Sequence, residues 1–273
     1  MTQPAIQVSH LVKRFGSLVA VDDLSFEVAE GELFGFLGPN GAGKTTTIHI
    51  LCTLLTPSSG EASVAGFDLL HHSFQVRRSI GIIFQDPSLD ERLTALENLR
   101  IHAMLYRIPA RERSRKIRMF LEMVGLWQRR DDLVKSYSAG MKRRLEIARG
   151  LLHQPKVLFL DEPTIGLDPQ TRTHIWKYLL EMRQKEKVTI FLTTHSMEEA
   201  DRCDRVAILD EGRKVVLDTP RALKRSVGQR EDGVTPTLED VFLKVTGHEI
   251  REENATSTEQ MRLIHQKWKG RMR

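Results

Sequence analysis

The chain has 273 residues, of which 40% are hydrophobic and 28% charged, with a net charge of +5, a composition typical of a globular protein with an ample core. No stretch approaches the roughly 18 consecutive apolar residues of a membrane span, and the first residues lack the basic and apolar regions of a secretory signal, which argues against membrane-spanning and secreted classes. Cys52 and Cys203 fit no metal-binding spacing, so we expect a protein of the reducing cytosol.

The predicted elements begin with strands and continue as alternating strands and helices. Alternating residues at 6–8 and 24–28 predict antiparallel strands within residues 5–36. A buried strand at 32–37, a Gly-rich loop and a helix at 46–55 follow. From residue 93 to 134 the pattern becomes helical. The remaining predictions are strands at 61–65, 80–84, 156–161, 188–193, 205–210 and 213–217, and helices at 110–124, 138–152, 171–185 and 237–246.

This order of elements predicts an α/β fold with a mostly parallel sheet, an antiparallel β subdomain and an inserted α-helical subdomain at about 86–150. We expect one domain over residues 1–225. Residues 226–273 are predicted to form a C-terminal extension, partly helical and then weakly ordered from about 249, where charged residues lack an apolar stripe.

The positive charge is concentrated in the inserted helices. Between residues 100 and 150, 14 Lys and Arg residues stand against 5 Asp and Glu residues, a net charge of +9. A solvated helical face accounts for such a run, and a surface for an acidic partner or lipid headgroups is the alternative. We expect no nucleic-acid partner, because aromatic residues are not interleaved and no recognised reading module is present.

A phosphate-binding loop is the most specific motif of the chain. Residues 38–45 fit G-x-x-x-x-G-K-[ST] between a predicted strand and a predicted helix, which indicates a P-loop NTPase core. Glycines let backbone N–H groups approach phosphates, and the helix N-terminus adds unpaired donors. Lys44 can supply a charge to the β- and γ-phosphates, and the Thr45 hydroxyl can ligate Mg²⁺. The candidate nucleotide-binding residues here are Gly38, Pro39, Asn40, Gly41, Ala42, Gly43, Lys44, Thr45 and Thr46.

Four polar residues end or follow other predicted strands, at the edge where open α/β sheets bind ligands. Asp161 is placed to hold Mg²⁺, and Glu162 can accept a proton from the attacking water. His195 could hydrogen-bond the γ-phosphate and orient the base. Gln85 could reach Mg²⁺ or the water through its amide oxygen. Taken alone, a strand-end histidine or glutamine is more often structural.

A helix start at Ser138 is a further candidate anion site. Ser138 as N-cap, followed by the small Ala139 and Gly140, leaves backbone N–H groups open to an anion. From these residues alone, a plain helix cap is the preferred interpretation.

Together these residues resemble the nucleotide-binding subunit of an ATP-binding-cassette (ABC) transporter over about residues 5–220. The resemblance implies that residues 38–46 form the Walker A loop and that residues 157–162 form Walker B. It implies further that Gln85 is the Q-loop residue, that His195 is the switch histidine, and that Asp168 belongs to the D-loop of residues 165–168. It matches Phe15 to an aromatic that stacks on adenine, with a core phenylalanine as the alternative. Ser138, Ala139 and Gly140 match the signature, in which Tyr137, Ala139 and Met141 depart from the usual Leu-Ser-Gly-Gly-Gln.

The resemblance implies an ATPase that uses ATP and Mg²⁺ and works as a homodimer, or as a heterodimer with a related cassette, with ATP sandwiched between copies. The tail motif at 237–247 is similar to the ending of drug- and antibiotic-exporter cassettes. The expected partner is a separate membrane permease contacted through about residues 86–110, which places the chain in the cytoplasm, peripherally at the inner face of the membrane. The alternatives are a cassette ATPase that acts on nucleic acid or ribosomes, and a small-molecule kinase.

Overall fold

The computed structural model describes residues 3–85, 88–228 and 235–247, which contain two sheets and the helices around them. The first sheet is antiparallel and has the strand order β2-β1-β4-β5. Its strands pair as the alternating pattern predicts, since Ile6, Val8, Phe26 and Val28 all point into the core. The bounds of these strands are β1 Ile6–Phe15, β2 Leu18–Val28, β4 Ser59–Val64 and β5 Phe67–Asp68.

The second sheet has six strands in the order β10-β9-β3-β8-β7-β6. All neighbours are parallel except β10, which forms the predicted hairpin with β9. Strand β3 was predicted within the antiparallel stretch of residues 5–36, but it pairs in parallel with β8 and β9 and is buried along its whole length. The bounds are β3 Leu33–Leu37, β6 Ile80–Ile83, β7 Val157–Asp161, β8 Thr189–Thr194, β9 Arg205–Asp210 and β10 Arg213–Asp218.

The helices flank the parallel sheet or lie between β6 and β7. Three helices, α3, α4 and α5, fall in the stretch predicted to be an insertion. Pro109 precedes α4, and Gly125 lies just beyond its end at φ 66°. The bounds of the helices are α1 Lys44–Leu51, α2 Ser73–Ser79, α3 Ala95–Leu105, α4 Ala110–Met123, α5 Ala139–Leu151, α6 Pro169–Glu186, α7 Met197–Asp201, α8 Pro220–Ser226 and α9 Leu238–Thr246.

The described helices differ from the predicted ones at some of their ends, as α1 and α6 each begin two residues before the predicted start, and in their number. Helix α1 ends at Leu51 rather than Leu55, because Thr53 adopts a left-handed φ of 60°. The sequence analysis missed α2, α7 and α8, each of seven residues or fewer, which is too short for a clear periodicity. The tail from residue 249, predicted to be weakly ordered, lies outside the described residues.

Apolar cores cover both faces of the parallel sheet. One core is rich in aromatic residues, with Phe26, Phe34, Phe36 and Phe191 in mutual ring contact at centroid distances of 4.7–6.0 Å. The other core joins the sheet to α3, α4, α5, α6 and α9. These cores hold the strand ends, and therefore the loops after them, in fixed positions. Across the described part of the chain, no helix combines the length and apolarity needed to cross a membrane.

Candidate functional site

The carboxyl ends of four neighbouring parallel strands bring most of the predicted site residues to one edge of the sheet. Strand β3 leads into the Gly-rich loop, and β6 leads to Gln85. Strand β7 ends at Asp161, directly before Glu162, and β8 ends at Thr194, directly before His195. Since β3, β8, β7 and β6 are adjacent in the sheet, their loops meet there.

The Gly-rich loop curls around the start of α1. Gly43 caps this helix at φ 92°, and a Cβ there would lie 2.5 Å from the Ala20 carbonyl oxygen, so no other residue fits. The buried Lys44 ammonium donates to the carbonyl oxygens of Gly38 (2.7 Å) and Pro39 (3.0 Å). Burial lowers the pKa of Lys44, although the charges of Glu162 and Asp161 oppose this shift. The loop therefore holds a buried cation at the N-terminus of α1, where a bound phosphate group is stabilised by positive charge.

Oxygen donors gather at Asp161. Its Oδ1 accepts hydrogen bonds from the Thr45 hydroxyl at 3.3 Å and the Thr193 hydroxyl at 2.5 Å. Burial raises the pKa of the Asp161 carboxyl, and the two hydroxyl groups partly offset this. A carboxylate beside a hydroxyl, both at a phosphate-binding loop, is a donor set that fits Mg²⁺, which prefers oxygen ligands.

Glu162 stands between two basic groups. Its Oε1 lies 3.7 Å from Lys44 Nζ and 3.4 Å from His195 Nδ1. Burial alone would raise the pKa of this carboxyl, but His195 and Lys44 outweigh burial and bring that pKa below its usual value. Its backbone has a left-handed φ of 47°, a strained conformation that is held in part by the N–H of Glu162 donating to the Thr193 carbonyl. Glu162 is thus an ionised, well-positioned carboxylate.

The loop of His195 is fastened by a buried carboxylate that the sequence analysis did not single out. Glu199 is 3% exposed. It accepts a hydrogen bond from the Thr194 hydroxyl at 2.7 Å and another from the Thr164 hydroxyl. Glu199 therefore ties the residue before His195 to the loop after Glu162. Nothing in its local sequence distinguishes it from the neighbouring Glu198.

A second group of predicted residues gathers where α5 and α6 begin. The Ser138 hydroxyl accepts from the Met141 N–H at 3.3 Å, which confirms Ser138 as the N-cap of α5. A Cβ on Gly140 would lie 2.8 Å from Thr171 Cγ2, so the two helices touch at this glycine. Asp168 in turn caps α6 by accepting from the Thr171 N–H at 2.9 Å. The exposed Ser138 and Ala139 therefore lie beside the start of α6.

The other predicted residues lie at the edges of these groups. Phe15 is half-buried at the end of β1, with Lys13 Nζ 5.0 Å from its ring centroid. Gln85 is half-buried directly after β6. The structure thus brings together Lys44, Thr45, Asp161, Glu162 and His195, and it gathers Ser138, Ala139, Gly140 and Asp168 separately.

The sheet, the Gly-rich loop and the strand-end carboxylates define a P-loop nucleotide-binding domain. The family model described as ABC transporter matches residues 21–165. The chain belongs to the ABC transporter family, as an ATP-binding component. This confirms the predicted family and the predicted P-loop fold.

Several family members show how close the similarity is. The chain is 44% identical to the daunorubicin/doxorubicin resistance ATP-binding protein DrrA of Streptomyces peucetius, over 83% of this chain and 69% of DrrA. It is 42% identical to Nod factor export ATP-binding protein I of Ralstonia nicotianae, over 81% of this chain and 68% of that protein. It is 40% identical to the probable multidrug ABC transporter ATP-binding protein YbhF of Escherichia coli, over 89% of this chain but only 42% of YbhF, so it spans less than half of that relative.

A solved structure supports the same assignment. A dimeric ATP-binding cassette in a post-hydrolysis state, bound to ADP and Pi, superimposes with a TM-score of 0.72 at 26% identity, covering 78% of this chain and 98% of the other.

Proposed function

We propose that this chain hydrolyses ATP to power a separate membrane permease that exports drug-like or other small molecules. The observation that carries the proposal is the contact of Glu162 with both Lys44 and His195 beside the Gly-rich loop. The names of the relatives, which concern drug resistance, multidrug transport and Nod factor export, support export rather than action on nucleic acid. They span different cargoes, so the permease would select the cargo.

In the proposed reaction, the backbone N–H groups of the loop and the Lys44 ammonium hold the β- and γ-phosphates of ATP. Glu162 accepts a proton from the water that attacks the γ-phosphorus, and the bond to the β-phosphate oxygen breaks to leave ADP. His195 holds the Glu162 carboxylate in place. Thr45, Asp161 and Gln85 are the proposed Mg²⁺ ligands, directly or through water; the ion would neutralise charge on the phosphates. Phe15 is proposed to stack on adenine.

We propose further that two copies, or one copy and a related cassette, enclose each ATP. The loop of one chain leaves the far side of the γ-phosphate uncovered, and a helix N-terminus can cover it because its N–H groups point outward. Ser138, Ala139 and Gly140 at the start of α5 would supply that surface, next to Asp168. The dimeric state of the solved cassette supports this arrangement.

The proposed contact with the permease lies within about residues 86–110, where α3 exposes an apolar face. Ile101, Met104 and Leu105 are 43%, 51% and 73% exposed. Their i, i+3, i+4 spacing places them on one side of the helix. An apolar permease segment would cover them. In this arrangement the chain lies in the cytoplasm at the inner face of the membrane, with residues 1–225 as the ATPase domain and 226–273 as an extension.

The proposal is tested with the Glu162→Gln variant, which should bind ATP and hydrolyse it at least about a hundredfold more slowly. Light scattering on purified protein should show a dimer with ATP and Mg²⁺ and a monomer with ADP. Glu181→Gln, at a surface carboxylate on α6, is the matched control and should keep full turnover. Glu162→Gln protein that turns over ATP at the wild-type rate would contradict the assignment.

A further inference from the structure

Helix α5 carries a buried ion pair that has no part in the proposed reaction as described above. Arg143 and Glu146 are 5% and 1% exposed, and Arg143 Nη1 lies 3.3 Å from Glu146 Oε2. Moving two charges out of water carries a desolvation penalty that a buried pair does not always recover, so stability alone does not explain such a pair. Its other contacts indicate what it does.

The guanidinium of Arg143 joins the carboxyl ends of two strands of the parallel sheet. It donates from Nε to the Pro163 carbonyl at 2.7 Å and from Nη2 to the carbonyls of Glu162 at 3.3 Å and Asp161 at 3.4 Å. From Nη1 it donates to the carbonyl of Phe84, the last residue before Gln85. One guanidinium therefore fixes the backbone at the carboxyl ends of both β6 and β7. Its five N–H donors in a rigid plane suit it to several carbonyl groups at once.

Glu146 holds the other flank of Gln85. Its Oε1 accepts from the backbone N–H of Ser88 at 2.7 Å. Arg149, one turn further along α5, donates to the Ser88 carbonyl at 2.7 Å. Phe84 and Ser88, which lie before and after Gln85, are thus both bound by side chains of α5.

The strained backbone of Glu162 depends on the hydrogen bond that Arg143 donates to its carbonyl. A left-handed backbone at a non-glycine residue persists only where its surroundings hold it. The N–H of Glu162 is bound by Thr193 and its carbonyl by Arg143, so two hydrogen bonds fix both peptide groups around the strained residue. A shift of α5 would therefore act directly on the backbone that aims the Glu162 carboxylate.

We propose that Arg143 and Glu146 are positioning residues that link the seating of α5 to the placement of Glu162 and Gln85. This inference rests on the proposed function, because the first turn of α5 is the surface that would meet the nucleotide of the second copy. Contact of Ser138 with that nucleotide fixes α5, and the buried pair transmits this position to the catalytic carboxylate and to the Gln85 loop. Hydrolysis then depends on correct contact between α5 and the nucleotide of the second copy.

Arg143→Lys in the full chain is the first test. Lysine keeps a cation opposite Glu146, but its ammonium cannot span carbonyls on both strand ends. We expect kcat for ATP hydrolysis to fall at least about tenfold while the Kd for fluorescent mant-ATP stays within about threefold, because the lost contact acts on the reaction rather than on binding. A kcat within about twofold of wild type overturns the inference, as does a protein that no longer folds, which would make the side chain purely structural.

A double variant separates positioning from stability. Arg143→Met with Glu146→Leu replaces both charges by apolar groups, an exchange that buried pairs often tolerate. We expect a folded protein with an undiminished melting temperature that binds mant-ATP and still shows the reduced kcat. Restored kcat together with restored folding would mean that the pair only stabilises the fold, and would overturn the inference.

The matched control is Arg144→Lys on the same helix, since Arg144 donates to the Val124 carbonyl within the helical segment and not to the sheet. It should keep kcat within about twofold of wild type. Wild-type protein without ATPase activity would overturn the proposed function itself. An active wild type with equally active Arg143→Lys and double variants would overturn the positioning role alone.

Discussion

Two neighbouring half-buried histidines at the junction of the helices and the sheet predict a specific loss of stability in mild acid. His153 donates from Nε2 to the Ile80 carbonyl at 2.8 Å, and its Nδ1 lies 3.5 Å from His102 Nε2. The ring of Tyr106 stacks on His153 at 3.8 Å between centroids. Burial, reinforced by neighbouring charge, lowers the pKa of His102 to about 3. Burial also lowers the pKa of His153 to about 4, with Lys116 contributing.

The sign and size of the effect follow from proton linkage. Both histidines have a folded pKa below the ordinary 6.5, so the unfolded chain binds more protons as pH falls, and stability present above pH 6.5 is progressively lost below it. Between pH 7.5 and 5.5 an unfolded imidazole becomes about 90% protonated while the folded one stays neutral, which costs about 1.4 kcal/mol per histidine. The pair should therefore cost about 2–3 kcal/mol over this range.

Urea unfolding of the wild type and of a His102→Gln/His153→Gln variant at pH 7.5 and 5.5 measures this cost. Between pH 7.5 and 5.5, the free energy of unfolding of the double variant should fall by about 2–3 kcal/mol less than that of the wild type. For each single variant, this difference from the wild type should be about half as large. His174→Gln, at an exposed position on α6, should leave the pH dependence unchanged. Equal losses in the wild type and the double variant would refute the reasoning.

Three other substitutions test the site. Lys44→Ala, which leaves the buried Glu162 without its cation, should lower phosphate release at least about a hundredfold, and retained turnover would refute the role of the loop. Thr193→Val removes a hydrogen bond to Asp161 worth about 1.5–3 kcal/mol and should reduce kcat about tenfold or more in the same assay; an unchanged kcat would show that this bond is dispensable. Gly140→Ala should destabilise the fold by about 1–3 kcal/mol in urea, because its Cβ meets Thr171 Cγ2 at 2.8 Å. The cost should shrink in a Thr171→Ser background, and an equal cost in both backgrounds would mean that the contact is not responsible.

The sequence predicted the parts of the site that local chemistry determines. The Gly-rich loop needs its glycines and lysine at fixed spacing, and the strands before Asp161 and His195 are recognisable as buried apolar runs. Arg143 and Glu199 could not be predicted in the same way. Their partners lie up to 59 positions away in the chain, so only the folded sheet reveals what these buried charges hold.

The helix ends also divide into those that local side-chain chemistry determines and those that tertiary structure determines. Ser138 caps its helix as its side-chain chemistry predicts. Asp168 and Thr237 also cap helices, although the predicted starts of those helices are residues 171 and 237. The early end of α1 depends on the left-handed Thr53, a residue type that favours no such conformation by itself. There the tertiary structure decides the backbone conformation.

The central claim is that each ATP is enclosed by two chains, and a nucleotide-dependent crosslink tests it most directly. In a Glu162→Gln background, one preparation carries Asn40→Cys and a second, of different mass, carries Ser138→Cys. The native Cys52 and Cys203 are buried and should give little background. A short bifunctional thiol reagent should join the two masses with ATP and Mg²⁺ but not with ADP. A crosslink that is absent with ATP, or equally strong without nucleotide, would contradict the account.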